Sequence, residues 1–383
     1  MRKSHCILLL AFLLFFGYLT SREETQINKK LIDGVEHIFN PPKPLKGRVF
    51  LNTIKVKEIP LSRIDSIGKF FLFTKDRKGN LWLAEARSNR IYCVNPSSGL
   101  VRTLGGRGSG PGEFKAILQM GILQDRLWVK GYDKLSYFGL DGGLLEEIRF
   151  KKLYSYLQPL DENTFFVGYT VVKKGKLFAR YALIDREERI KAVLFESSKL
   201  GFLGPKGTPS GGIIIPELAP SSFGVYSPVT NRFYFAEGDR YVIYEKDRKG
   251  HLLRVIHREH RKVKVTRETV RQIRKQLLRL PNSVKKAVLK NIPSHFCVFK
   301  GLEVLPSGYL AVFRIVSLWQ TEMDVFDLQG QFLYTVIHPE GTLEGFSFLP
   351  GRLISLFVQK RSYFYREFEA RNLLEVFMGK EKR

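Results

Sequence analysis

Five residues stand out for the chemistry they could do: Glu85, Asp133, Tyr169, Glu237 and Arg314. Each lies at or just past a short alternating apolar stretch, where a strand gives way to a turn. Two or three carboxylates, a phenol and a guanidinium brought together would form a small charged pocket that holds a polar ligand by charge-assisted hydrogen bonds. Kept apart, each would serve its own turn, the carboxylates accepting backbone N–H groups and Arg314 pairing with Glu237. A second group is cationic: Arg267, Arg271, Arg274, Lys275, Arg279, Lys285, Lys286 and Lys290. These belong to a stretch, residues 257–293, that carries a dozen Lys and Arg against two acids, Glu259 and Glu268. Such a run is either the solvated outer face of a helical lid or a surface for polyanions: anionic lipid headgroups, acidic glycans or an acidic protein partner. Phe, Tyr and Trp are absent from it, and single strands stack on such rings, so nucleic acid is not an expected partner.

Metal and nucleophile chemistry find less support. Calcium takes about six to eight oxygen ligands, whereas the turns in question offer Glu85 and Glu237, with Asp133 and Asp239 nearby. His251, His257 and His260 cluster at an outer strand and the start of the basic stretch, and His295 and His338 stand alone. That spacing reads as surface cations rather than a zinc site. No Ser-His-Asp or Cys-His signature is present, so no catalytic residue is assigned and no cofactor is expected. A metal-dependent hydrolase or lyase using axial carboxylates, with calcium or zinc, is the alternative. The Gly-rich stretch 104–114 lacks the Gly-Lys-Ser/Thr of a phosphate-binding loop and leads into a strand; its glycines serve unusual backbone angles in a turn.

The elements that must position these residues come from a repeat. A phrase of turn residue, alternating strand, polar turn and second alternating strand recurs six times. Its copies are 79–83 with 90–94; 125–129 with 135–138; 165–167 with 179–184 and 190–195; 231–235 with 241–244 and 251–256; 308–312 with 323–326 and 332–337; and 351–354 with 363–368 and 373–377. Apolar strands precede most copies, at 69–74, 117–123, 224–228 and 301–305, making four strands per unit. Period-two alternation with Gly, Asn and Asp at the breaks predicts antiparallel meanders. Six such sheets around an axis bury both faces and leave no long open edge, so the expected fold is an all-β, six-bladed propeller of four-stranded antiparallel blades. An extra strand at 53–56 is expected to pair with the last unit and close the ring. Residues about 258–293 form a helical insertion between blades four and five. Thr266 caps a first helix with Val270, Ile273 and Leu277 on one face, Pro281 breaks it, and a second helix carries Val284, Ala287 and Val288.

The stretch Leu104-Gly105-Gly106-Arg107-Gly108-Ser109-Gly110-Pro111-Gly112-Glu113-Phe114 resembles the G-x-G-x-G-P-G-E-F connector of bacterial six-bladed propellers of the NHL-repeat type. The likeness spans roughly residues 48–378 and is strongest in the first two copies. In such repeats the residue closing the second strand, usually Asp, faces the central channel or its rim. Here the six equivalents are Glu85, Gly131, Tyr169, Glu237, Arg314 and Phe357. The resemblance implies the fold and says little about the ligand.

Composition agrees with a folded, exported domain. Of 383 residues 44% are apolar, which excludes disorder as the main state, and 63 Lys and Arg outnumber 37 Asp and Glu for a formal charge of +26, which favours anionic partners. Three Cys exclude a disulfide scaffold. A basic start followed by apolar residues 6–16 has the layout of a secretory signal, cleaved or kept as an anchor. The expected organisation is a signal at 1–21, a stiff Pro-containing linker at 22–47, and the propeller at 48–383. The reading is an exported, periplasmic or extracellular monomer, tethered to the membrane if the signal persists. It would present a basic, lidded face to an anionic ligand or protein partner, with membrane-surface association open to it.

Overall fold

The computed structural model describes residues 26–58, 70–95, 97–201, 217–318, 320–337, 346–349, 352–359 and 362–369; for 52–58, 70–71, 279 and the last three segments the description is of backbone. The expected signal and the strand at 373–377 lie outside the described residues.

The chain begins with a hairpin, β1 (Asn28–Ile32) and β2 (Val35–Asn40), then β3 (Arg48–Phe50) and β4 (Asn52–Glu58). Antiparallel meanders follow. The first is β5 (Phe70–Lys75), β6 (Leu81–Glu85), β7 (Arg90–Asn95) and β8 (Gly99–Gly105). The second is β9 (Ile117–Leu123), β10 (Arg126–Gly131), β11 (Lys134–Gly139) and β12 (Leu144–Arg149). The third is β13 (Tyr156–Pro159), β14 (Phe165–Lys173), β15 (Lys176–Ile184) and β16 (Ile190–Ser197). The fourth is β17 (Ser222–Ser227), β18 (Arg232–Glu237), β19 (Val242–Lys246) and β20 (Leu252–Arg258). The fifth is β21 (Phe299–Val304), β22 (Leu310–Ser317), β23 (Gln320–Phe326) and β24 (Phe332–Ile337). First strands of successive meanders lie side by side, β5 by β9, β9 by β13 and β17 by β21, so they occupy the centre and later strands fan outward. That arrangement is a β-propeller of four-stranded antiparallel blades. A further sheet, β25 (Phe346–Leu349), β26 (Arg352–Gln359) and β27 (Ser362–Glu369) with β4, is described through backbone pairing alone. Packed side chains are therefore described in five blades, one fewer than the six expected from the repeats.

Aromatic and branched side chains fill the gaps between blades, as alternation requires. Trp82, Phe114 and Val129 join the first two blades. Phe150, Leu157 and Phe165 join the second and third, and Phe166, Phe233 and Phe235 the third and fourth. Each ring buried this way is worth about 1.5–3 kcal/mol. The outer hairpins repeat one piece of turn chemistry. Asp185, Asp247 and Asp327 each accept, through Oδ1, the N–H groups two and four residues ahead, at 2.8–3.1 Å. A short carboxylate satisfies the turn's donors there, which is why the Asp-led break recurs between third and fourth strands.

The N-terminal segment departs from the expected linker. The β1–β2 hairpin adds to the outer edge of the fourth blade, β2 pairing parallel with β20. Next, β3 pairs parallel with β24 of the fifth blade, and β4 pairs antiparallel with β27. The chain thus straps three successive outer edges. Its prolines, at 41, 42 and 44, fall in the crossing between blades, where no ladder donor is needed. The crossing is pinned by buried Asn40, which donates to His257 O and Gly330 O and accepts from Phe332 N–H at 2.8–3.1 Å. Cys93 and Cys297 are buried free thiols, pushed up by burial to about 11 and about 12.

Candidate functional site

Antiparallel order puts every turn between second and third strands on the same rim as the connectors between blades. Three connectors therefore have their described residues on that rim: 106–116, 198–201 with 217–221, and 259–298. The first is the Gly-rich stretch, and its chemistry is structural. Phe114 is fully buried between blades, and Asn89 of the β6–β7 turn donates to Phe114 O (3.1 Å) and Lys115 O (2.9 Å). Glu113 Oε2 accepts from Gly110 N–H at 3.0 Å and lies where any side chain at position 108 would collide with it.

The third connector holds helices α1 (Arg267–Gln276) and α2 (Asn282–Lys290). The Thr266 hydroxyl accepts from Thr269 N–H at 3.2 Å and so caps α1. Ile273, Leu277 and Val288 are buried with Leu218 and Ala219 of the second connector and Ile315 and Leu318 at the β22 end. Cys297 N–H bonds Glu217 O (2.8 Å), and Val298 N–H bonds Gly238 O (2.6 Å). The segment 217–221 and the third connector thus form one lid over the rim of blades four and five. Of its cations, Arg267, Arg271, Arg274, Lys275, Lys286 and Lys290 are exposed and Lys285 is half-buried; the Arg279 side chain lies outside the described set. Glu268 pairs with Arg271 at 3.1 Å.

Of the five residues singled out by the sequence, Glu85 and Glu237 close their strands on this rim and Asp133 lies in the β10–β11 turn. Tyr169 and Arg314 lie inside β14 and β22, which run on to Lys173 and Ser317, and the five do not converge. Among the described contacts no hydrogen bond or ion pair joins any two of them. Glu85 is buried and accepts from Arg87 N–H (2.7 Å), Ser88 N–H (2.8 Å) and the Ser88 hydroxyl. Burial pushes its carboxyl up, but the Ser88 and Arg87 hydrogen bonds outweigh it and hold it below the ordinary range. Glu237 accepts from the Ser197 hydroxyl (2.6 Å) and from Arg240 (3.0 Å). Both carboxylates therefore do local work. Asp133 holds the β10–β11 turn through its carbonyl, which accepts from Phe150 N–H at 2.9 Å. Beside it, buried Lys130 donates to Gly131 O and Tyr132 O; burial lowers its ammonium to about 8, Asp133 acting the other way. Tyr169 sets its ring edge-on to Tyr154 at 5.6 Å. The three clustered histidines face different neighbours: His251 pairs with Asp247 (3.0 Å), His257 stacks on His37 and Phe39, and His260 meets the Tyr241 ring edge-on.

Arg314 corrects the expected Glu237 pairing. It turns across its own blade to Asp324 (Nε to Oδ2, 3.1 Å) and to Glu322, because the antiparallel register puts residue 314 opposite 322. Asp324 is fully buried and also accepts from Arg258 (2.7 Å), the Tyr241 hydroxyl (2.7 Å) and the Thr335 hydroxyl (2.8 Å). The Arg258 guanidinium sits 4.2 Å from the Phe332 centroid and donates to Pro42 O at 2.9 Å. Arg48 of β3 reaches Glu322 at 2.6 Å. Burial lowers the Arg314 guanidinium, and the charges of Asp324 and Glu322 more than reverse this, so it is held fully cationic. Above the network opens a cavity of about 480 Å³ walled by residues of the N-terminal strap, β20, β22, β23 and β24.

Two features escaped sequence reasoning. One is this network, whose signal is a lone Asp324 at an inward position of an alternating strand. The other is Glu303, on the central strand β21 between Leu302 and Val304. It has no described hydrogen-bond partner, and burial pushes its carboxyl up to about 8. Tyr156 on β13 is also pushed up, by burial first and then by the charges of Tyr181 and Glu303.

Neither a protein-family model nor a curated protein matches the chain. Among solved structures, the chain is similar to a "putative exported protein" from Bacteroides fragilis, at 12% identity and TM-score 0.54, covering 86% of this chain and 99% of that one. It is also similar to a member of the DUF4221 family from Bacteroides vulgatus, at 12% identity and TM-score 0.50, covering 83% and 97%. At this identity the likeness establishes the propeller fold.

Proposed function

We propose that the protein is an exported β-propeller binding module that presents the lidded, cationic connector rim to an anionic ligand or protein partner. The observation that carries this reading is the lid itself. Two connectors from different blades share one apolar core, which holds the two helices against the rim and leaves six described cations pointing outward with a single acid among them. Loops held on a rigid scaffold are where propellers and similar folds bind. Export is supported by the basic start and apolar run of the sequence and by the name of the Bacteroides fragilis neighbour. A sixth blade of the NHL-repeat type, built from β25, β26 and β27 with β4 as its outer strand, would complete the ring; the backbone pairing of β4 with β27 supports this reading. No described helix is long and apolar enough to cross a membrane.

The test is retention on a carboxylate or sulfonate resin. Changing Arg267, Arg271, Arg274, Lys275, Lys286 and Lys290 to Gln is expected to move elution to markedly lower salt, with the melting temperature within a degree or two of the parent. Elution no earlier than that of a variant with six Gln substitutions at other exposed cations would show that the excess charge is merely spread over the surface.

A further inference from the structure

We propose that the cavity between the N-terminal strap and the fifth blade is a binding site for a small organic anion bearing a terminal carboxylate or phosphate group. The site is built rather than incidental. Lys43, Arg48, Arg258 and Arg314 line it with Glu322, and Asp324 lies beneath. Four cations therefore face two carboxylates, and both carboxylates are already engaged by arginines. Each guanidinium has five N–H donors, more than these ion pairs use. The described contacts engage Nη2 of Arg48, Nη1 and Nη2 of Arg258, and Nε and Nη2 of Arg314. Buried Asp324 fixes Arg258 and Arg314 in place, and Nη1 of Arg314 with Nε and Nη1 of Arg48, which carry no described contact, offer N–H donors to the oxygens of a carboxylate or phosphate. Pro42, Pro44 and Val316 give the cavity an apolar wall for the organic part of the ligand. Its volume, about 480 Å³, falls within the usual range for small-molecule sites.

The walls explain why the strap crosses where it does. Pro42 is held by Arg258 and Arg48 by Glu322, so the segment that joins blades four and five also encloses the cavity. This inference goes beyond the rim reading and uses none of the lid's cations. Titration of a small ion and retention on a resin are separate readouts, so either reading can fail while the other stands.

The experiment is calorimetric titration of the full chain at pH 7 with inorganic phosphate and, in a second arm, with succinate. Saturable one-to-one binding is expected in at least one arm, and the stronger arm tells phosphate from carboxylate. Arg48→Gln removes a side chain that is 57% exposed; it should weaken that binding at least tenfold with an unchanged melting temperature. Arg314→Lys should weaken it too, but its ties to buried Asp324 can cost folding, so Arg48→Gln is the deciding variant. A paired control, Lys78→Gln with Lys249→Gln on the opposite rim, should bind as the parent does. The proposal is overturned by no saturable binding in either arm, by parental affinity in Arg48→Gln, or by equal weakening in the control.

Discussion

Glu303 shows how a single residue can be costly where it stands. A carboxyl raised from 4.5 to about 8 in the folded protein binds its proton more tightly there than in the unfolded chain. Its contribution to stability is therefore present below about pH 4.5 and is lost as pH rises through about 8. Glu303→Gln removes the titration and keeps the shape. The variant should be more stable than the parent by about 4 kcal/mol at pH 8 and nearly equal to it at pH 4, as denaturant melts at the two pH values would show. Equal stability at pH 8 would mean that the carboxyl is hydrated and unstrained. The sequence did not mark this residue, because an acid between two apolar neighbours on a strand reads as solvent-facing unless one knows that the strand is the innermost of its blade. Glu85 was legible as a turn carboxylate, since the N–H groups it accepts from are at most three residues away; Glu237 was not, because its carboxylate accepts from the Ser197 hydroxyl at the end of β16 and from the Arg240 side chain rather than from backbone N–H groups. The Arg314 partners were not, because they depend on which residue the register sets across the ladder.

At the scale of elements, local signals carried far. Alternation located the strands, Asp-led breaks located the outer hairpins, and Thr266 with the apolar spacing of α1 located the lid. The Gly-rich connector is the clearest case of sequence becoming packing. Its turn brings Phe114 back between two blades, and Gly105 takes a φ of +72° close against that ring. Replacing Phe114 by Ala should cost about 3–5 kcal/mol, the usual range for deleting a buried ring, without moving the lid's surface charge; urea melts and resin elution would measure the two effects separately. A loss below about 1 kcal/mol would mean that the connector is not a plug. What local signals could not supply was the path of residues 28–50. Short polar and prolyl stretches read as a tether, and their pairing with β20 and β24 is a long-range event that no window of sequence contains.

Over the whole molecule, the propeller decides which loops meet. Strand order alone sends the Gly-rich turn, the Leu218–Ala219 segment and the two helices to one rim, and the shared core of the last two turns that coincidence into a lid. The strap works on the outer side of the same ring, tying the fourth and fifth blades to the sheet of β25, β26 and β27 and enclosing the cationic cavity. The claim on which this account rests is that the connector rim is the face that meets anions. Hydrogen–deuterium exchange of the full chain with and without a sulfated polysaccharide tests it most directly. Slower exchange is predicted in residues 106–116, 217–221 and 259–298. Protection confined to the opposite-rim turns at 76–80, 124–125, 247–251 and 327–331, with the lid unchanged, would contradict it.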